Sequence, residues 1–470
     1  MKTFITFLLI IAAAIGLTSC IEDGFSTSPS NQPAFSTDTL RMGVIFTEEP
    51  SPTNRFMVYN PHAKSLSISD IRLSGENARH FRVNVDGISG STFSNVEIRS
   101  KDSIFVFVEA TLPPVGANIP TAIEAKLDFT TNGVTSSVVL RAEGQNVRRL
   151  RAETVAADTR FDVTLPYQIF DSLVVAEGAT LAIEPGTTLC FHDGASLIVR
   201  GTLISEGTAE KPVVMTGDRT GNVVGDISFD IMSRQWEGVY FAPSSTGNKL
   251  SHTDIRNTWQ GVAIEGDGAD GPAALSMLNC RLHNSASTVF AAVHTAVEAT
   301  GCEFAEGGGG LVYLQGGRAT MNHCTLANNY LFAAISGPAL AMAHISNDEK
   351  TGLDDGSGLP YLRADITNTI IYGLGSDISH GDLTGTDIRL HRCLLKSKGS
   401  DDDNFTECTW ESDPLYRTIR SEYFFDYRLK PESPAIGAAD PAYPAPDDAY
   451  GLPRGTTPDL GAYVYSEPEE

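Results

Sequence analysis

Basic residues are scarce in this sequence: 34 Lys and Arg stand against 58 Asp and Glu, a formal charge of −24 at pH 7. Such an acidic chain repels nucleic acid and anionic lipid headgroups, so no nucleic-acid partner is expected, and a polyanionic substrate needs a local basic patch. After the first twenty residues no apolar run approaches the roughly 18 residues of a membrane-spanning helix. Short catalytic signatures are missing as well. There is no H-E-x-x-H zinc motif, no nucleophile elbow and no glycine-rich phosphate loop behind a strand, since "GGGG" at 307–310 falls at a turn. What remains is 470 residues, 41% hydrophobic and 20% charged, which is the make-up of folded protein and too long for one ordinary domain.

The chain starts Met1-Lys2-Thr3, then "FITFLLIIAAAIGLTSC", a positive start followed by a short apolar run, which reads as a secretory signal over 1–19. Its end, "LTSC" at 17–20, resembles the bacterial lipobox. That resemblance implies acyl chains on Cys20 and hence a membrane partner, and two or more chains anchor stably where one does not. Residues 20–35, "CIEDGFSTSPSNQPAF", suit a flexible tether. The acidic pair Glu22-Asp23 is similar to the surface-export signal of Bacteroidetes lipoproteins. Together these resemblances imply an outer-membrane lipoprotein at the cell surface.

From 36 to 146, period-2 runs such as "SIFVFVEA" and "SSVVLRAEG" alternate with Asn-Pro, Asp-Gly and Asn-Gly turns, the pattern of an antiparallel sandwich. The order "VYNP…LSISDIRLSG…FRV…DFTTNG…VVLRAEG" resembles the immunoglobulin-like domains of the abnormal-spindle and hydin type. Residues 147–160 are expected to be a linker.

Beyond 160 the texture changes. "SLVV" at 172 returns as "SLIV" at 196, "ATLAI" at 179 as "GTLIS" at 201, and "TTLCF" at 187 as "KPVVM" at 211. Three strands recurring every 22 to 24 residues predict an all-β chain in which an immunoglobulin-like sandwich precedes a right-handed parallel β-helix over 161–425. The phrases "IEPGTTL" and "GTAEKPV" are similar to those of secreted bacterial β-helix proteins.

Cysteines return at 280, 302 and 324 in two steps of 22, in a column with Thr253, Thr369 and Cys393. Strand side chains alternate, so this column and the residues two further on point inward. Free thiols acting as small apolar fillers fit the roughly 4.8 Å between coils better than disulfides or a zinc site do. At the C-terminus, "LKPESPAIG…GLPRGTTPDLGAYVY" resembles an ending shared by surface β-helix proteins, with Gly437 where Asp is usual, and 426–470 is expected to cap the helix.

The residues flanking the column should point outward. His252, Asp254, Arg256, Asn279, Arg281, His283, Glu303 and His323 form a candidate ligand face. Carboxylates, Arg and His in one stripe suit a glycan, and a surface lipoprotein binding extracellular carbohydrate without catalysis is the expected function. A β-helix polysaccharide lyase or glycoside hydrolase is the alternative, and a structural stalk or adhesin is a third reading. Binding predicts a polar and aromatic face without a strongly perturbed titratable pair. A lyase predicts a groove where Arg or Lys meets several carboxylates beside the insertion at 346–361, and a stalk predicts no groove. No cofactor or metal is implied; "DDDN" at 401–404 offers oxygen ligands for calcium, but consecutive acidic residues do not converge on one ion. Trp236, Trp259, Tyr313 and Tyr330 could stack on sugars, with core packing the ordinary fate of each.

Overall fold

The computed structural model describes residues 24–224, 227–268, 270–345, 358 and 360–467. Cys20, the leader and most of the insertion at 346–361 lie outside them. The chain divides into two compact units between Asn146 and Val147. Among the described residues no helix is long and apolar enough to cross a membrane.

The first unit is a β-sandwich of two five-stranded sheets. One runs in the order Ala34–Phe35, Asn54–Tyr59, Ser103–Ala110, Phe81–Val85, Ile88–Gly90. The other runs Thr39–Phe46, Val134–Gln145, Thr121–Thr131, Leu66–Ser74, Thr92–Ile98. Alternation does what the sequence predicted: Phe56, Val58, Val106, Val108, Leu127, Phe129, Val138 and Leu140 are buried between the sheets. One pairing is parallel, between Thr39–Phe46 and Val134–Gln145. Such a pair cannot share a hairpin, and the rest of the unit supplies the long connection it needs. The expected tether is partly docked here. Ala34–Phe35 pairs with Asn54–Tyr59, and the amide side chains of Asn31 and Gln32 donate to Ser26 Oγ and to the Thr131 carbonyl.

The second unit is a parallel β-helix of three strands per coil. Ten strands, from Thr159–Phe161 to Phe405–Thr406, form one face, and a seventeen-stranded array from Arg148–Val155 to Leu394–Leu395 makes the other two. The expected linker 147–160 is part of the ladder: Arg148–Val155 pairs in parallel with Tyr167–Val175, and Thr159–Phe161 with Thr180–Ile183. Polar composition hid it, because the first coil has its outer edge in water. Ser172 pairs with Ser196 and Thr180 with Thr202, as the repeats predicted. Thr188 pairs with Val214, two residues beyond the predicted register; an even shift keeps every side chain on its own side of the strand.

One corner explains the cysteine column. His252, Asn279, Gly301, His323, Asn368 and Arg392 all have positive φ. Each turns the chain between two faces and delivers the next residue inward: Thr253, Cys280, Cys302, Cys324, Thr369 and Cys393 are buried, with Ile255, Leu282, Phe304, Leu326, Ile371 and Leu395 two residues on. A left-handed corner costs least for Gly and Asn, the residues at three of these six positions. The thiols are free. Burial pushes the Cys302 thiol well up, so it stays protonated and inert.

The C-terminal segment does not close the end of the helix, as its prolines suggested. It lies along one flank, where Leu429, Ala435, Leu460 and Ala462 pack on Ala305, Ala327, Ile370 and Leu394. Those four point outward from successive coils, so they form an apolar stripe that needs cover more than the helix end does.

Candidate functional site

The face after the cysteine corner carries two outward columns. Asp254, Arg281 and Glu303 stack in register, and beside them run Arg256, His283 and Ala305. Alternating charge along a parallel ladder holds itself together. Arg281 Nη1 lies 3.6 Å from Asp254, and its Nε lies 3.5 Å from Glu303. Arg256 Nη1 and His283 Nε2 reach Asp254 at 3.1 and 3.2 Å.

Two segments rise over this floor as walls. The first is made by the described residues 227–237 of the insertion between the strands Val213–Gly217 and Gly238–Phe241. Buried Asn257, another left-handed corner residue, nails it down: its side-chain amide donates to the carbonyls of Phe229, Asp230 and Met232 at 2.7–3.2 Å. Asn284 holds the Ile231 carbonyl from the next coil. The second wall is 423–427 of the C-terminal segment, anchored where the Tyr427 hydroxyl donates to Glu306 and where Arg420 donates to the carbonyls of Asn329 and Tyr330. Between floor and walls lies a cleft of about 300 Å³. Asp230, Arg256, Arg281, His283, Glu306 and Phe424 are among its lining residues. Tyr423 and Phe424 stand exposed on its rim.

The carboxyl groups of the cleft are driven apart. Burial would raise Asp254, but His283, Arg256 and Arg281 outweigh it and hold the group far below the usual range, hence ionised. For Glu306 the balance is opposite: burial, with the nearby Glu303, outweighs the Asn329 amide and the Arg420 guanidinium and pushes it well above the usual carboxyl range. Arg256 and Arg281 face Asp230, Asp254 and Glu303, so the floor is not a basic patch.

Of the sequence-predicted face, the structure brings Asp254, Arg256, Arg281, His283 and Glu303 together in this cleft. It separates the corner residues from them. Asn279 donates to the Asp447 carbonyl. His323 is fully buried against Arg454 and the Asp459 carbonyl, and burial with that guanidinium lowers it to about 3. His252 is half-buried, bonded to Ser251 and Asn279. At this corner Asn279 and His323 are taken up by the C-terminal segment, whereas the residues of another left-handed corner, Asn284 and Glu306, line the cleft.

Asp230, Glu306 and the 423–427 wall went unread. The step from Val213 to Thr253 is 40 residues where the coils on either side take 26 and 27, which marks an insertion of about 13 residues on this face. "DDDN" is consumed by its own turn: Asp401 accepts from Cys408 N and Trp410 Nε1, and Asp402 from Asn404 N and Phe405 N. Trp236 stacks on Phe191 inside the coil and Tyr330 is buried against Ser233, whereas Trp259 is exposed with Arg234 over its ring.

The molecule is an all-β protein in which a β-sandwich precedes a parallel β-helix. No family model and no curated protein matches it. Among solved structures it is similar to a protein of unknown function from Porphyromonas gingivalis W83, at 14% identity over 24% of this chain and 46% of that one, TM-score 0.18. It is also similar to a family 123 glycoside hydrolase from Clostridium perfringens, at 7% identity over 25% of this chain and 30% of that one, TM-score 0.18. The catalytic domain of a GH87 alpha-1,3-glucanase is matched at 9% identity over 77% of this chain and 88% of that one, TM-score 0.18. This chain thus spans under half of the first two, and likeness at that TM-score carries no functional argument.

Proposed function

We propose that the cleft binds carbohydrate, and that acyl chains on Cys20 hold the protein at the outer surface of a Bacteroidetes-type outer membrane. The observation that carries the binding reading is the pairing of a polar floor, Asp254, Arg256, Arg281 and His283, with exposed ring faces at Tyr423 and Phe424. Hydroxyl groups need paired donors and acceptors, and the apolar faces of sugar rings stack on aromatic side chains. Four carboxyl groups, Asp230, Asp254, Glu303 and Glu306, against two guanidinium groups favour a neutral chain over a polyanionic one. The test is calorimetric titration of the soluble chain from Ile21 onward with neutral and uronic-acid oligosaccharides. Neutral ligands should bind, and Arg281→Ala should weaken them by about 10- to 100-fold, the scale of a lost charged hydrogen bond. Absence of binding by every oligosaccharide, or an unchanged affinity in Arg281→Ala, sinks the reading.

Catalysis is the second reading, and one observation favours it: Glu306, pushed well up by burial, and Asp254, held far down by its cations, line the same cleft. Divergent carboxyl groups are what a glycoside hydrolase needs for its acid and its base. Neutral preference favours hydrolysis over elimination, which acts on uronic acids. Release of reducing ends that stops in Glu306→Gln, with binding retained, would move the assignment to a hydrolase. A groove is also what the stalk reading excludes.

A further inference from the structure

The two outer faces of the N-terminal sandwich differ in kind. On one sheet the outward residues are charged and paired, Arg141 with Glu124 and Arg72 with Asp70. An antiparallel sheet normally meets water in that way. On the other, the central strand Ser103–Ala110 turns Phe105 and Phe107 outward. Their rings lie 5.8 Å apart at 27°, and the Arg55 guanidinium sits 5.3 Å over Phe105. Met57 pairs across from Phe105, and Tyr59 on the same strand is exposed. Exposed aromatic clusters of this sort mark binding surfaces, because burying the rings elsewhere in the core would have been favourable.

Beside Phe107 opens a groove of about 780 Å³, whose lining includes the small residues Gly87, Ser89, Gly90 and Ser91. Its polar fringe is ordered. Glu109 accepts from Thr53 at 2.7 Å and pairs with Arg82 at 3.4 Å, while Asn84 donates to Ser89 at 3.0 Å. Rings with a fringe of donors and acceptors fit a ligand that is apolar on its faces and hydroxylated at its edges. An acyl chain or apolar peptide would strip water from the donors and acceptors that Arg82, Asn84 and Glu109 still turn outward beyond these pairs and would replace it with nothing. A polyanion would find Arg82 already neutralised by Glu109.

We propose that this groove, centred on Phe107, is a glycan-binding site for a neutral saccharide chain, distinct from the cleft of the β-helix. It stands on the N-terminal unit alone and does not depend on the reading of the cleft.

The experiment is affinity electrophoresis of the full chain through gels containing mixed-linkage β-glucan, amylopectin, xylan or mannan. Four proteins are compared: wild type, Phe105→Ala/Phe107→Ala, Asn84→Ala and the cleft variant Arg281→Ala. Phe105 is exposed, Phe107 and Asn84 are part-buried and Arg281 lies on the floor of the cleft, and circular dichroism establishes that each variant is folded. At least one polysaccharide should retard the wild type; the double Phe variant should then weaken that retardation about tenfold, and Asn84→Ala by less. Arg281→Ala should keep the share of retardation that the double Phe variant loses. Equal retardation of wild type and double Phe variant in every gel overturns the proposal, as does the absence of retardation in all four. Self-association that depends on Phe105 and persists in saturating oligosaccharide would assign the face to a second copy of the chain, and also overturns it. Loss in Arg281→Ala alone leaves the cleft reading standing while this one fails.

Discussion

Asn257 is a single amide that holds a whole wall of the cleft. Its substitution by Ala removes the NH2 group that three carbonyls share; Gln235 still reaches those of Phe229 and Met232, and that of Asp230 loses its side-chain donor. Asn257→Ala is expected to cost about 2 to 3 kcal/mol and to open 218–237 to limited proteolysis well below global unfolding. Glu306 gives a second, opposite test. Its folded-state pKa lies above the unfolded one, so between the two the native state binds the extra proton and stability falls as pH rises. Asp254 has the reverse sign: its contribution is present above about pH 4 and is lost on further acidification. Glu306→Gln should therefore flatten the decline on the alkaline side, by up to about 1.4 kcal/mol per pH unit, in thermal melts taken at successive pH values. The sequence announced the floor of the cleft because the floor lies on a strict repeat, where counting from Cys280 and Cys302 places Arg281 and Glu303 without further information. Glu306 lay just past that count, at a second left-handed corner whose outward environment depends on Tyr427, 121 residues away.

At the scale of elements, the repeat is legible where coil length is constant and silent where it is not. The first coil escaped because its outer edge reads like a polar linker, and the 218–237 insertion because it sits between two well-formed strands. Residues of the C-terminal segment were seen as a unit, but its docking place could not be read, since that depends on an apolar stripe assembled from four separate coils. The cysteine ladder carries its own prediction. Cys190, Cys280, Cys302, Cys324 and Cys393 are buried, and burial drives Cys190 up to about 12, while Cys408 is partly exposed and its bond to Cys393 lowers it. A thiol reagent should label Cys408 first among the described cysteines, the others reacting only on unfolding, as peptide mapping would show. Cys302→Ala should cost about 1 to 2 kcal/mol through the small void left in a close-packed interior.

For the whole molecule, what matters is that the cleft is built from segments far apart in the chain. Tyr463 reaches back to Glu303 over 160 residues and Tyr427 to Glu306 over 121. Ending the chain at Asp413 should leave the β-helix ladder in place, because its strands are complete by Phe405–Thr406. It should also expose Ala305, Ala327, Ile370 and Leu394 to water. Such a variant is expected to retain its far-ultraviolet signature, to bind an apolar dye and to associate in sedimentation experiments. A monomeric, dye-free product would show that the flank needs no cover.

That long return also sets a timetable. Coils can add one upon another as the chain emerges, each seating on its predecessor, yet the last wall arrives only after the strands it leans on have long been made. Recognition is thus the final event in the maturation of the second unit, and a chain interrupted after its last coil would look folded while offering its partner half a site.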